Sequence, residues 1–193
     1  MDRLIVGITG ASGTPLACRF VNQLKEFTEC EVHVVASDSA RLTAQYEAPD
    51  AFKKMLSCAD VVHDNASIGG SIASGTFKTK GMVIIPCSMK TAAGIASGYS
   101  DNLVLRAADV TLKEQRPLVL VARETPMSPI HLRNLSTLAA LPSVSILPPM
   151  MTYYHHPKAI EDMENQLIGK YSIVLDLPIL PLSAGKDKSL ASK

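Results

Sequence analysis

Five short runs of β-branched and aliphatic residues recur along this 193-residue chain, at positions 4–9, 32–35, 82–85, 118–121 and 144–147. A strand with one wet face alternates apolar and polar side chains. These runs are apolar almost without interruption, so each must be covered on both faces. The stretches between them, at 15–27, 39–46, 91–96, 102–115, 130–140 and 159–175, carry apolar residues at helical spacing. Strand and helix in alternation predict a parallel sheet sandwiched between helices, in a single α/β domain. That domain is expected to span residues 1–182. Pro178 and Pro181 stop the last helix, and the small, polar, lysine-bearing segment 183–193 reads as a flexible tail.

Charge narrows the function classes. Nineteen Lys and Arg against eighteen Asp and Glu give a net charge of +1, so no overall field draws in nucleic acid or anionic lipid. Any anion site must be local. No apolar stretch reaches the roughly 18 residues of a membrane helix, and a soluble, cytoplasmic protein is expected. Cys18, Cys30, Cys58 and Cys87 form no C-x-x-C pair, and reduced, mostly buried thiols are expected.

In open parallel sheets ligands bind beyond the carboxyl ends of the strands. The first run is followed by TGASGTP at 9–15, where Gly10 and Gly13 permit a tight turn and Pro15 suits a first helical turn. Amides there can hold an anion beside the Ser12 hydroxyl; a plain glycine turn with a capping serine is the alternative. No Lys follows the glycines, so this is neither a Walker loop nor a G-x-G-x-x-G fingerprint. After the run at 82–85 comes PCSMKT at 86–91, a second cradle with Ser88, Thr91 and Lys90. Cys87 at a helix start could be a reactive thiol, though a residue just inside a strand end is usually packed. Arg123 and Glu124 follow the run at 118–121 and put a phosphate-binding fork beside a proton handler. The loop PPMMTYYHHP at 148–157 could wall an apolar substrate. Its adjacent His155 and His156 point apart, with no third ligand at suitable spacing, so no metal is expected. On the helix at 102–115, Asp109 lies three residues from Arg106 and four from Lys113. Either an intrahelical ion-pair ladder forms, or the cationic face serves a phosphate, in its own or a neighbouring subunit.

Seven blocks, GITGASG (7–13), SGTF (74–77), GMVIIPCSMKT (81–91), DNLVLRAADVTLKE (101–114), RETP (123–126), IHLRN (130–134) and LPPM (147–150), stand in one order over nearly the whole chain. Together they resemble the flavin prenyltransferase family of the UbiX and Pad type. The resemblance implies a flavodoxin-like or Rossmann-like three-layer fold, FMN as reduced prenyl acceptor and dimethylallyl phosphate as donor, without a metal. It further implies a homo-oligomer with sites at subunit interfaces and a UbiD-type decarboxylase that receives the prenylated FMN. By matching positions, FMN contacts fall at Gly10, Ala11, Ser12, Ser37, Ser88, Met89, Lys90, Thr91 and Arg123. The prenyl phosphate meets Ser88, Arg123, Tyr154 and Lys170, with Arg106 and Lys113 reaching across a subunit boundary. Ser12, Glu47 and Glu124 take the catalytic positions. The chain departs from the family at Met151 and Thr152 and in having Lys170 where Arg is usual, which leaves a non-transferring FMN-binding accessory subunit as the alternative.

Overall fold

The computed structural model describes residues 2–178. The expected boundary at 182 and the expected tail at 183–193 lie outside them. Six parallel strands form one sheet: β1 (Arg3–Ile8), β2 (Glu31–Ala36), β3 (Val61–His63), β4 (Gly81–Cys87), β5 (Leu118–Ala122) and β6 (Val144–Ile146), in the spatial order β3-β2-β1-β4-β5-β6. That is the order of the dinucleotide-binding folds, and it reverses direction between β1 and β4. A crevice must open there, at the carboxyl ends of those two strands.

The helices are α1 (Thr14–Phe27), α2 (Asp38–Glu47), α3 (Pro49–Cys58), α4 (Met89–Ser97), α5 (Leu103–Lys113), α6 (Pro129–Ala139) and α7 (Ile160–Val174). The unbroken apolar runs resolve into two cores. Leu4, Val6, Ile8, Val83, Ile85, Val119 and Val121 face one way, onto Phe20 and Leu24 of α1, Met55 of α3 and Tyr171 of α7. Ile5, Met82, Ile84, Leu118 and Leu120 face the other way, onto Ile95 of α4, Leu103 and Ala107 of α5 and Leu138 of α6. Each of these strand residues is at most 2% exposed and stabilises the sheet by about 1.5–3 kcal/mol relative to exposure.

The runs and helices expected from sequence are all present. Two further elements carry no comparable signal. Strand β3 has three residues, pairs only with β2 and leaves Val62 exposed. Helix α3 begins at Pro49, which looks like a terminator of α2 but occupies a first helical turn, where its missing N–H leaves nothing unsatisfied.

Candidate active site

The crevice between β1 and β4 contains a cleft of about 160 Å³ lined by Thr9, Gly10, Ser37, Ser39, Ser88, Lys90, Thr91, Asn102, Val104 and Leu105. It unites five of the sequence-predicted residues: Gly10, Ser37, Ser88, Lys90 and Thr91. Thr9, Ser39, Asn102, Val104 and Leu105 are additions, and the position of Ser39 just after β2 was the available signal. Larger cavities lie elsewhere; one of about 550 Å³ sits at the opposite sheet edge beside Pro117 and Ser143, which precede β5 and β6. Volume alone therefore does not mark the site.

Three helix starts frame the cleft. Ser37 caps α2, its hydroxyl accepting the Ala40 amide at 3.1 Å, and its own amide donates to the Ile8 carbonyl at the end of β1 (3.0 Å). Ser88 caps α4, accepting Thr91 N–H at 3.4 Å, with its hydroxyl 3.1 Å from that of Thr91. Asn102 caps α5 by accepting Leu105 N–H at 3.1 Å. Serine and asparagine caps on helices that start beside the sheet's carboxyl edge place hydroxyls, an amide and helix dipoles around one small volume.

The first turn differs from expectation. Gly13, at φ 131°, stands at the N-cap of α1, which therefore has no capping side chain of its own. The anion at the α1 start is the protein's own: Glu47, from the end of α2, accepts the amides of Gly13 (3.0 Å) and Thr14 (2.8 Å). Partial burial pushes the Glu47 pKa up, but hydrogen bonds from the Ser12 hydroxyl and those two amides outweigh it and hold the carboxyl below its ordinary value. Glu47 is therefore ionised near neutrality. Ser12 is exposed.

Arg123 follows β5 and is exposed; its amide donates to the Cys87 carbonyl at 3.1 Å, which sets it next to Ser88. The half-buried Glu124 accepts its neighbour Thr125 N–H at 2.9 Å. Met89 and Ala11 are buried beside the cleft. Cys87 is no nucleophile: it is fully buried, and desolvation pushes its thiol up to about 12 despite the adjacent helix start.

The remaining predicted residues do not line the cleft of their own chain. Arg106 pairs with Asp109 at 2.8 Å, while Lys113 lies 3.9 Å from Glu114 rather than reaching Asp109, so only half of the ion-pair ladder forms. Seven residues of helix separate Arg106 from Lys113 by about 10 Å. Tyr154 is 92% exposed, and Met150, Met151 and Tyr153 are exposed as well, so the apolar loop closes no wall within one chain. Lys170 stands on a separate apolar cavity of about 450 Å³ with Leu147, Pro148, Thr152, Leu167 and Tyr171. Among the described residues no group of three His, Cys, Asp or Glu could hold a metal ion, and no helix is long and apolar enough to cross a membrane. His131 serves structurally, its ring accepting the Ser128 amide in the capping box of α6.

A Rossmann-like sheet with a hydroxyl-lined crevice at its switch point defines a nucleotide- or flavin-binding class of protein. Residues 1–172 match the Flavoprotein family model. Flavin prenyltransferase LpdB of Lactiplantibacillus plantarum is 48% identical over 165 residues, covering 86% of this chain and 88% of that protein. Among solved structures, AnUbiX (PadA1) in complex with FMN and dimethylallyl pyrophosphate superposes with a TM-score of 0.88 at 40% identity, over 92% of this chain and 94% of that one. A dodecameric FMN-dependent UbiX-like decarboxylase from Escherichia coli O157:H7 gives 0.87 at 44% identity, over 91% and 94%. The chain belongs to the Flavoprotein family and, within it, to the flavin prenyltransferases.

Proposed function

We propose that the β1/β4 cleft takes FMN and that the protein joins the dimethylallyl group of dimethylallyl phosphate to it. The observation that carries this reading is the cleft itself, whose lining combines the hydroxyl-bearing Ser37, Ser39, Ser88 and Thr91 and the cationic Lys90 with apolar Val104 and Leu105. That donor set suits a phosphorylated polyol with an apolar end. The backbone is cut to the same fit: a Cβ on Gly10 would stand 2.4 Å from the Ser39 Cβ, so the two walls approach as closely as glycine allows. Gly10, Ala11, Ser12, Ser37, Ser88, Met89, Lys90, Thr91 and Arg123 would hold the flavin. When bound reduced, it supplies a nucleophilic N5 and, next to it, C6, the two atoms that carry the prenyl group in the product.

The chain's own groups then have distinct tasks. Lys90, Arg123 and Lys170 have no carboxylate within 4 Å among the described residues, so their charge is available to a phosphate as it leaves. The exposed Ser12 hydroxyl, which helps hold Glu47 ionised, is available to hydrogen-bond the reacting edge. Glu124 pairs with no cation among the described residues and can take the proton released when the second bond closes.

The cleft of one chain falls short of the roughly 300–1,000 Å³ of a typical small-molecule pocket. The exposed Tyr154 loop, and Arg106 and Lys113, which do not line this cleft, fit completion by a neighbouring copy, which would also exclude water from an allylic cation. The reading therefore includes a cytoplasmic homo-oligomer with its sites at subunit interfaces and a UbiD-type decarboxylase that receives the product. Anaerobic incubation with reduced FMN and dimethylallyl phosphate or diphosphate, followed by mass spectrometry, tests it. A flavin heavier by one five-carbon unit is expected; bound flavin without adduct, from either donor, would refute the transfer, and sedimentation as a monomer would refute the shared site.

A further inference from the structure

Thr9 lies directly after β1, is 3% exposed, and has every polar atom engaged. Its amide donates to the Pro86 carbonyl (3.2 Å), and its carbonyl accepts the Ala11 amide (2.9 Å), closing the turn at Gly10. Its hydroxyl donates to the same Pro86 carbonyl (2.9 Å) and accepts the Ser88 amide (2.8 Å). The regular β1/β4 pairing ends two residues earlier, at Gly7 opposite Ile84. Pro86 has no N–H to give, so beyond that point one backbone bond remains, from the Thr9 amide to the Pro86 carbonyl. The Thr9 carbonyl is turned to Ala11, and the side-chain hydroxyl accepts the Ser88 amide in its place, where the strands part to form the cleft.

Ser88 is thereby fixed. With its amide held by Thr9, its extended backbone (φ −75°, ψ 155°) turns its hydroxyl toward Thr91 and the cleft. The amide of Ser88 is also withdrawn from any ligand, which must use the hydroxyls and the amides that follow. We propose that Thr9 is a positioning residue for the transfer reaction: through Ser88 and the Gly10 turn, its hydroxyl sets the spacing of the two halves of the flavin cleft. This rests on the flavin reading above.

The test compares Thr9→Val, which keeps the branched shape and removes the hydroxyl, with Thr9→Ser, which restores it. Ser88→Ala, the double variant Thr9→Val with Ser88→Ala, and Val32→Ala accompany them. Val32 is fully buried on the far half of β2, so its truncation lowers stability away from the cleft. FMN affinity is read from flavin fluorescence, KM and kcat for dimethylallyl phosphate from product formation, and stability from thermal melts. Thr9→Val is expected to raise the FMN Kd on the order of tenfold, and Thr9→Ser to stay within about threefold of wild type. Val32→Ala should lower only the melting temperature. The double variant should bind FMN no worse than the weaker single variant, since Thr9 acts through Ser88. A Thr9→Val protein that merely melts earlier, a serine that fails to rescue, or additive losses in the double variant would each overturn the role of Thr9. Wild-type protein that bound no FMN would instead overturn the flavin reading, and this proposal with it.

Discussion

Adding one carbon to Gly10 tests whether the cleft is built by close approach. The backbone there is outside the left-handed region, so alanine brings no conformational strain, only a contact. The new Cβ would stand 2.4 Å from the Ser39 Cβ, with the Ser39 carbonyl carbon at 3.2 Å and oxygen at 3.3 Å. Carbon atoms rest about 3.5–4.0 Å apart, so the first turn of α2 must retreat by about 1–1.5 Å. It is pinned to β1 by the Ser37 amide on the Ile8 carbonyl (3.0 Å), a bond such a shift would break. Overpacking of this kind costs about 1–3 kcal/mol, or a melting temperature lower by about 2–12 °C in a chain of this length. Because Ser37 and Ser39 both line the cleft, FMN affinity should fall about tenfold or more. A thermal melt and a flavin titration read the two effects. Ser39→Gly deletes the colliding atom, so in the Gly10→Ala background it should recover much of both losses. If the single variant melts and binds as wild type, or the second substitution recovers nothing, the close-approach reasoning is wrong.

Glu47→Gln should narrow an acid-dependent difference. A carboxyl held below its ordinary pKa contributes stability that is fully present above the free value of about 4.3 and is lost as pH falls through the lowered one. The gap between wild type and variant should accordingly be widest near neutrality and close in acid; a gap independent of pH in melts from pH 7 to 3 would contradict the assignment. Tyr171→Phe should match or exceed wild-type stability, because the Tyr171 hydroxyl is buried with no partner among the described residues and its desolvation also raises its pKa. A clearly lower melting temperature would show that the hydroxyl has a partner in solution. Lys170→Arg should lower KM for dimethylallyl phosphate a few-fold with little change in kcat, since a guanidinium can grip phosphate in a bidentate way; an unchanged or higher KM would remove Lys170 from the donor site.

How much of this was legible follows from the range of the interactions involved. The central strands are visible because each residue is buried on one face or the other, which leaves an unbroken apolar run. Edge strand β3 is not, having three residues and a single paired neighbour. Ser88 could be read as part of a cradle because a cap and a strand end are local features, and a strand's carboxyl end in such a sheet points to the ligand. The contact between Glu47 and the α1 amides joins residues 33 and 34 apart, and nothing in the local pattern tells those amides which carboxylate will find them. The same holds for Thr9, whose β-branched side chain reads as one more strand residue until Pro86 is seen beside it.

Arg106 shows where a correct local reading and a functional one meet. Its pairing with Asp109 at 2.8 Å is the expected helical ion pair, with side chains 38% and 41% exposed. At that exposure the pair is worth under about 1 kcal/mol. A charge-assisted hydrogen bond to a phosphate contributes about 1.5–3 kcal/mol, so the ion pair is too weak to keep Arg106 from an anion presented by a neighbouring copy. Asp109 would then hold the guanidinium in place between turnovers without competing for it. On this reasoning Asp109→Asn should shift the melting temperature by less than about 4 °C and leave kcat almost unchanged, whereas Arg106→Ala should raise KM for dimethylallyl phosphate tenfold or more. Steady-state kinetics on the intact assembly separates the two. If Asp109→Asn proved as damaging as Arg106→Ala, the pair would have to act as a unit, and Arg106 could not be the side chain released to the substrate.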